Sequence, residues 1–290
     1  MKPIDTSAQT PSAAVQAVLL DEIAGALQAL WERRRPGDDA IHRARKELKR
    51  ARTALRLLRE AVGDEAYKRE NAELRDAARP LGDARDATVA LGLVRELLEH
   101  EKKPARRARL VELRRALHEE RLRARDTLLR GSKLAGIERL LLEAGQRAEY
   151  WRVPRNAAPA LRAGLERVYR KGRKALKRAR SERSTASLHE SRKQVKYLQQ
   201  ALAIVADSKS HRLKKLTKRA QAVAARLGDD HDLAALCARL AALPVRSKAQ
   251  GKLIARVEVR RAKLQKSAFK RARRLYSKKP AAFLGQVAVK

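Results

Sequence analysis

Cysteine is nearly absent from this chain. The one cysteine in 290 residues, Cys237, excludes an intramolecular disulfide framework. It reads as a small apolar residue on a helix, and such sparse cysteine use points to a reducing compartment. Aromatic residues make up only 3%, which leaves few platforms for stacking nucleobases. Glycine and proline are few, and no Gly-x-x-x-x-Gly-Lys-Ser/Thr loop is present, which removes the common nucleotide-phosphate cradle. No segment alternates apolar and polar residues with β-branched enrichment, so no sheet is expected. No apolar run reaches the roughly 20 residues that cross a bilayer, and Asp21-Glu22 interrupts the best candidate. The start, Met1-Lys2-Pro3-Ile4-Asp5, lacks the apolar core of a signal peptide. These absences read as a cytoplasmic protein without a membrane partner.

Acidic residues are also scarce beside basic ones. Seventy Lys and Arg face 33 Asp and Glu, a formal net charge of +37. A field of that size repels itself and exceeds what solubility needs, so it points to a polyanionic partner. The remaining composition is rich in Ala, Leu, Arg, Lys and Glu, which are helix formers. The chain reads as all-α.

Periodicity and caps predict helices over 13–34 (with Ser12 as N-cap), 39–61, 65–79 and 83–100. A long basic helix follows Pro104 to near Gly131, and short helices fill 133–150. Tyr150 to Asn156 reads as a junction, with Pro159 opening the next helix. Further helices are expected over 159–181, 186–206, 209–226, 230–243 and 247–277. The expected organisation is one domain over 13–280 made of two pseudo-symmetric helical bundles, 13–150 and 158–280, forming one basic cavity or groove. Residues 1–12 and 281–290 are expected to be flexible ends.

The two halves follow from a repeat. His42-x-x-Arg45-Lys46-x-x-Lys49 recurs as His189-x-x-Arg192-Lys193-x-x-Lys196. Each copy is followed by a second signal, Leu81-Gly82-Asp83-Ala84-Arg85-Asp86 and Leu227-Gly228-Asp229-Asp230-His231-Asp232. From histidine to last aspartate is 44 positions in the first copy and 43 in the second. In the first copy Ile41, Ala44, Leu48, Ala51, Leu55 and Leu58 form an apolar stripe. His42, Arg45, Lys46, Lys49, Arg52 and Arg56 run beside it at spacings of three and four, a ladder of cations on one helix. Like charges so placed oppose the helix by about 0.2–0.5 kcal/mol per pair, which favours an anion ladder over a merely solvated face. The second copy departs after Lys196. Tyr197, Gln199 and Gln200 stand where the first has Arg50, Arg52 and Thr53. Its ladder is extended by a crowded preceding helix with Arg167, Arg170, Lys171, Arg173, Lys174, Lys177, Arg178 and Arg180. Lys209, Arg212, Lys214, Lys215, Lys218 and Arg219 add a further basic helix.

Gly82 and Gly228 suit the left-handed position after a helix end, and Asp83 and Asp229 suit N-caps with Asp86 and Asp232 three residues on. The alternative is that Asp86 and Asp232 accept hydrogen bonds from an Arg or His and orient the ladder. Neither motif histidine has a second metal ligand nearby, and His231-Asp232 lacks the partner elements of a metal-binding His-Asp site, so no metal is expected. His42 and His189 read as hydrogen-bond donors to an anion rather than as phosphoryl acceptors.

These segments resemble the CHAD family, the conserved histidine α-helical domain. The resemblance rests on His42-x-x-Arg45-x-x-x-Lys49-Arg50-x-Arg52, Leu81-Gly82-x-x-Arg85-Asp86, His189-x-x-Arg192-Lys193-x-x-Lys196 and Leu227-Gly228-x-x-x-Asp232, and covers about 13 to 280. It implies two pseudo-symmetric helical bundles with a basic central groove, and binding of inorganic polyphosphate at polyphosphate granules. It carries His42, Arg45, Lys49, Arg50, Arg52, Arg56, His189, Arg192, Lys193 and Lys196 over as phosphate contacts. The neighbouring Lys46, Arg170, Arg173, Lys174, Lys177, Tyr197, Lys214 and Lys218 complete the expected site.

The chemistry agrees with such a ligand. A phosphate chain has no bases, so donors and positive charge in a groove suffice; Arg grips two oxygens and Lys acts as a mobile charge. The expectation is a non-enzymatic binder with no cofactor. Nucleic acid or another polyanion is the alternative partner, since phosphate contacts alone give non-specific affinity. A polyphosphate-processing enzyme is the third reading, and a requirement for magnesium distinguishes it.

Overall fold

The computed structural model describes residues 10–154, 157–205 and 210–287, the side chains of 83 and 84 apart. The outer N-terminal residues, part of the junction (Arg155, Asn156), Lys209, the last three residues and the Asp83 side chain therefore lie outside the described residues.

Ten helices and no strand are present among the described residues: α1 (Pro11–Trp31), α2 (Asp38–Val62), α3 (Asp64–His100), α4 (Pro104–Leu129), α5 (Lys133–Glu149), α6 (Ala158–Glu182), α7 (Thr185–Ile204), α8 (His211–Ala241), α9 (Lys248–Leu275) and α10 (Pro280–Leu284). The order repeats. α2 and α7 carry the histidine-led motif, and α3 and α8 carry the Leu-Gly motif.

Three expectations about boundaries give way. The pairs 65–79 and 83–100, and 209–226 and 230–243, are each one continuous helix, with Pro80 inside α3. Gly82 and Gly228 are therefore mid-helix residues, and Asp83 and Asp229 are not N-caps. Residues 133–149 form one helix rather than several. The N-cap of α1 is Thr10, whose side chain accepts from the Ala13 amide. Ser12 instead donates to the Pro154 carbonyl at 3.0 Å, tying α1 to the interhelical junction.

The apolar stripes settle which faces turn inward. Ile41, Ala44, Leu48, Ala51, Leu55 and Leu58 of α2 are all essentially inaccessible. Removing each larger side chain from water favours folding by about 1.5–3 kcal/mol. α1 is apolar and long enough to cross a membrane by composition and length alone, yet Val15, Leu19, Ile23 and Leu30 are spent on the core. The first and second halves meet where α6 lies on α2. Gly164 allows that approach, because a methyl there would lie 2.6 Å from the Leu57 carbonyl oxygen and 2.9 Å from its Cα.

The C-terminal end is not loose through 287. Phe283 is 1% exposed and Val287 fully buried. The Phe283 ring stacks on Tyr169 with centroids 3.9 Å apart.

The core falls into two clusters, and this division positions the site. One is built on α1, α2, α5, α6, α7, the first parts of α3 and α8, the end of α9, and α10. The other gathers Val94, Leu110, Leu117, Leu236, Leu240 and Val257 from α3, α4, α8 and α9. On α3 the first cluster ends at Leu81 and the second begins at Ala90; on α8 the corresponding residues are Leu227 and Leu233. Both Leu-Gly-Asp motifs lie in the gap between the clusters.

Candidate anion-binding site

In that gap the cation stripes of α2 and α7 meet the motifs of α3 and α8. Arg45 donates to the Gly82 carbonyl at 3.2 Å and to Asp86 at 2.8 Å. Its guanidinium lies against Gly82, where a Cβ would come to 3.4 Å from it. Arg192 sits over Gly228 in the matching way, with Nε 3.7 Å from the same imaginary atom. The glycines therefore make room for a guanidinium on a helix surface rather than end a helix. Asp86 takes the orienting role that was the alternative reading. Asp232 makes no hydrogen bond to Arg192, and the Arg192 Nε is buried with no partner among the described residues.

Protonation of the motif histidines is disfavoured. Arg85 donates from Nε to His42 Nδ1 at 3.1 Å, which requires that nitrogen to be unprotonated. Burial first, then the charges of Arg85, Lys46 and Arg45, hold His42 below the usual range. His189 and His231 face each other through Nδ1 at 3.1 Å, so only one of those nitrogens carries a proton. Burial and then Arg192 lower His189. Burial, Arg192 and His189 bring His231 down to about 4.

The lysines are perturbed the same way. Burial, Arg45, Arg192 and Lys196 lower Lys49 to about 8. Burial and then Arg192 lower Lys196. Asp232 is raised by burial, with Arg192 opposing. The cluster is thus a desolvated concentration of positive charge with two carboxylates against it. Among the described residues no group of three or more His, Cys, Asp or Glu could hold a metal ion.

One or two turns further along α2, the stripe passes into a cavity of about 350 Å³ between α2, α3, α6 and α7. Arg52, Arg56, Arg75, Arg167, Lys171 and Lys193 line it. Arg56 lies 3.9 Å over the Tyr197 ring, a cation–π contact that fixes its position. Arg52 donates to Asn71 at 3.3 Å. Thr53 and Gln200, equivalent positions in the two copies, hydrogen-bond to each other at 2.8 Å where α2 crosses α7. The tyrosine that replaces an arginine in the second copy therefore supports a cation of the first.

The structure brings together His42, Arg45, Lys49, His189, Arg192 and Lys196 at the gap, and Arg52, Arg56, Lys193 and Tyr197 at the cavity. Lys46 is exposed beside His42. Arg50 is placed elsewhere. It pairs with buried Glu22 of α1 at 2.7 Å, on the side of α2 away from the cavity. It has this place because positions 49 and 50 differ by 100° around a helix. Arg170, Arg173, Lys174 and Lys177 line a separate groove. Lys214 and Lys218 are exposed on α8 and line neither space. Arg85, His231 and Arg75 join the site without having been singled out as ligand contacts. Arg75 lies seven and eleven positions before Gly82 and Asp86, on one face of α3, a spacing that could have placed it.

Comparison with known proteins places the fold. PptA from Streptomyces chartreusis superposes with a TM-score of 0.69 at 15% identity, over 93% of this chain and 100% of that one. The crystal structure of the CHAD domain from the plant Ricinus communis superposes with a TM-score of 0.62 at 20% identity, over 93% of this chain and 92% of that one. No curated protein matches the sequence. The CHAD domain family model matches residues 18–241, most of the chain, and carries the helices that build the site. The chain belongs to the CHAD domain family.

Proposed function

We propose that this protein binds inorganic polyphosphate without chemically altering it, along the α2–α7 crossing from the Arg45–Arg192 cluster to the cavity at Arg52, Arg56 and Lys193. The observation that carries this reading is the desolvated crowding of cations at the crossing. Lys49 is pushed down to about 8 by burial and by three neighbouring cations. Such crowding is unfavourable in the free protein and is relieved by an anion with many charges. Buried and unpartnered, the Arg192 Nε is a donor waiting for an oxygen.

A phosphate chain suits this lining better than single-stranded nucleic acid. The tyrosines of the cavity are covered, Tyr197 by Arg56 and Tyr67 by Arg59, so bases find no open ring to stack on. Membership of a family associated with polyphosphate binding supports the same ligand. Association with polyphosphate granules in the cytoplasm follows as the cellular consequence.

The test is a competition titration near physiological salt. Labelled long-chain polyphosphate is bound and then displaced by charge-matched single-stranded DNA, duplex DNA or heparin. Polyphosphate should survive excesses of the others. Displacement by all of them in proportion to charge sinks the reading in favour of general polyanion binding. Binding should persist without magnesium, and the chain should be recovered uncut; magnesium-dependent shortening would make the protein an enzyme.

A further inference from the structure

The charged surface contains a second space that the α2–α7 crossing does not use. An open groove of about 1320 Å³ lies between α6, the first part of α8 and the end of α9. Its cations include Arg173, Lys177 and Arg180 of α6, Arg219 of α8, and Arg273 and Arg274 of α9, and no carboxylate lines it among the described residues. None of these six makes an ion pair among the described residues. Of the other lining cations Arg170 pairs with Glu166 at 3.3 Å, and some arginines elsewhere on the surface are likewise held. Arg147 pairs with Glu70 at 2.8 Å and Arg239 with Glu120 at 2.7 Å.

The groove exists because the halves are capped differently. In the first half α5, of 17 residues, covers α1 and α3. In the second half the helix against α6 is α10, of five residues. The face left open on α6 is filled with cations, whereas α1 is apolar. No exposed aromatic ring lines the groove, since Tyr276 is 5% exposed. A ligand read only by its charge and oxygens fits it.

α6 is also a wall of the cavity at the α2–α7 crossing, through Arg167 and Lys171. Arg170, next to Lys171 in sequence, and Lys174, three residues after it, belong to the groove. From Arg167 to Arg180 the helix rises about 20 Å. The two spaces are thus neighbouring stations around one basic helix.

Resting on the polyphosphate reading, we infer that the α6–α8–α9 groove is a second phosphate-chain site, and that one long polyphosphate occupies both stations by passing around α6. The protein then selects for chain length. A short chain fills the crossing alone. A longer chain engages the groove at high effective concentration, which raises affinity by about a hundredfold or more.

The test is calorimetric titration of tripolyphosphate and of long-chain polyphosphate into three proteins near physiological salt. They are the wild type, Arg173→Glu/Lys177→Glu, and Lys214→Glu/Lys218→Glu, which makes the same charge change outside both spaces. All the substituted residues are exposed, and thermal melting checks that each variant is folded. Wild type should bind the long chain about a hundredfold more tightly than tripolyphosphate. The groove variant should lose most of that gain and keep its tight tripolyphosphate step within about twofold, while the control keeps both. Equal losses in groove variant and control mean diffuse electrostatics and overturn the inference. So does a groove variant that also loses tripolyphosphate, or a wild type that binds short and long chains alike. A wild type that binds neither phosphate chain overturns the polyphosphate reading itself, and the groove with it.

Discussion

Lys49→Met should make the protein more stable and a poorer ligand binder. Lys49 lies among Arg45, Arg192 and Lys196, and burial with these charges brings it from 10.5 to about 8. That displacement corresponds to roughly 3 kcal/mol by which the folded protein disfavours the charged ammonium. Methionine keeps the apolar stem and discards the charge. For a cation whose folded value is depressed, the penalty is complete below about 8. It shrinks as pH rises from there and is gone above 10.5, where the unfolded chain is also neutral. The expected result from urea unfolding near neutral pH is therefore a gain of roughly 1–3 kcal/mol, diminishing as pH is raised from 8 towards 10.5. The same variant should bind tripolyphosphate much less tightly. A variant less stable than wild type at neutral pH, or a difference that stays flat across the alkaline range, refutes the account of the crossing as self-repelling charge.

Other outcomes follow from the same geometry. Affinity for tripolyphosphate should fall as pH rises through about 8, because a bound anion favours charged Lys49; titrations in buffers of different ionisation enthalpy should register proton uptake on binding. Burial and a hydrogen bond to Glu47 push Glu22 up to about 8, so wild type should lose stability as pH rises from about 4.5 through 8. Glu22→Gln should remove that slope in denaturant midpoints. Gly164→Ala should destabilise by about 1–3 kcal/mol through its collision with the Leu57 backbone. At Gly92, which has nothing within 4 Å in α3, the same change should stabilise by up to about 1 kcal/mol; thermal melting of both variants decides. Phe283→Ala should cost about 3–5 kcal/mol, since the ring is buried on Tyr169.

The helices and the stripe of α2 were legible because each is a local pattern. Spacings of three and four fix which residues share a face, and Ile41 to Leu58 are buried as that spacing requires. The boundaries at Gly82 and Gly228 were misread because glycine and aspartate are also the residues that end and begin helices. Their actual role depends on a guanidinium arriving from another helix, which no local pattern records. Arg50 failed for a related reason. It carries the right charge at a neighbouring position, but its partner Glu22 lies on α1, and only the packing of α1 on α2 reveals it. The flexible end assigned to 281–290 overlooked Phe283, because a single aromatic in a short tail has no period to display.

The two motifs are therefore one device made of two helices in each copy, α2 with α3 and α7 with α8. An arginine of the histidine-led helix must lie on a helix surface to be desolvated, and glycine at 82 or 228 is what admits it. An aspartate one turn later can hold it there, as Asp86 holds Arg45 at 2.8 Å. The second copy keeps the glycine and the aspartate but leaves Arg192 unheld. The first arginine is anchored, and the second has its bonding capacity open. An anion entering between them meets one guanidinium already bonded to a carboxylate and one whose Nε has no partner. This asymmetry makes Asp86→Asn and Asp232→Asn unequal. The first should loosen Arg45 and weaken phosphate binding, because a positioned donor binds better than a mobile one. The second removes a competing negative charge without breaking a hydrogen bond, and should leave binding unchanged or tighter. Equal effects in titrations with tripolyphosphate would show that the two copies act alike.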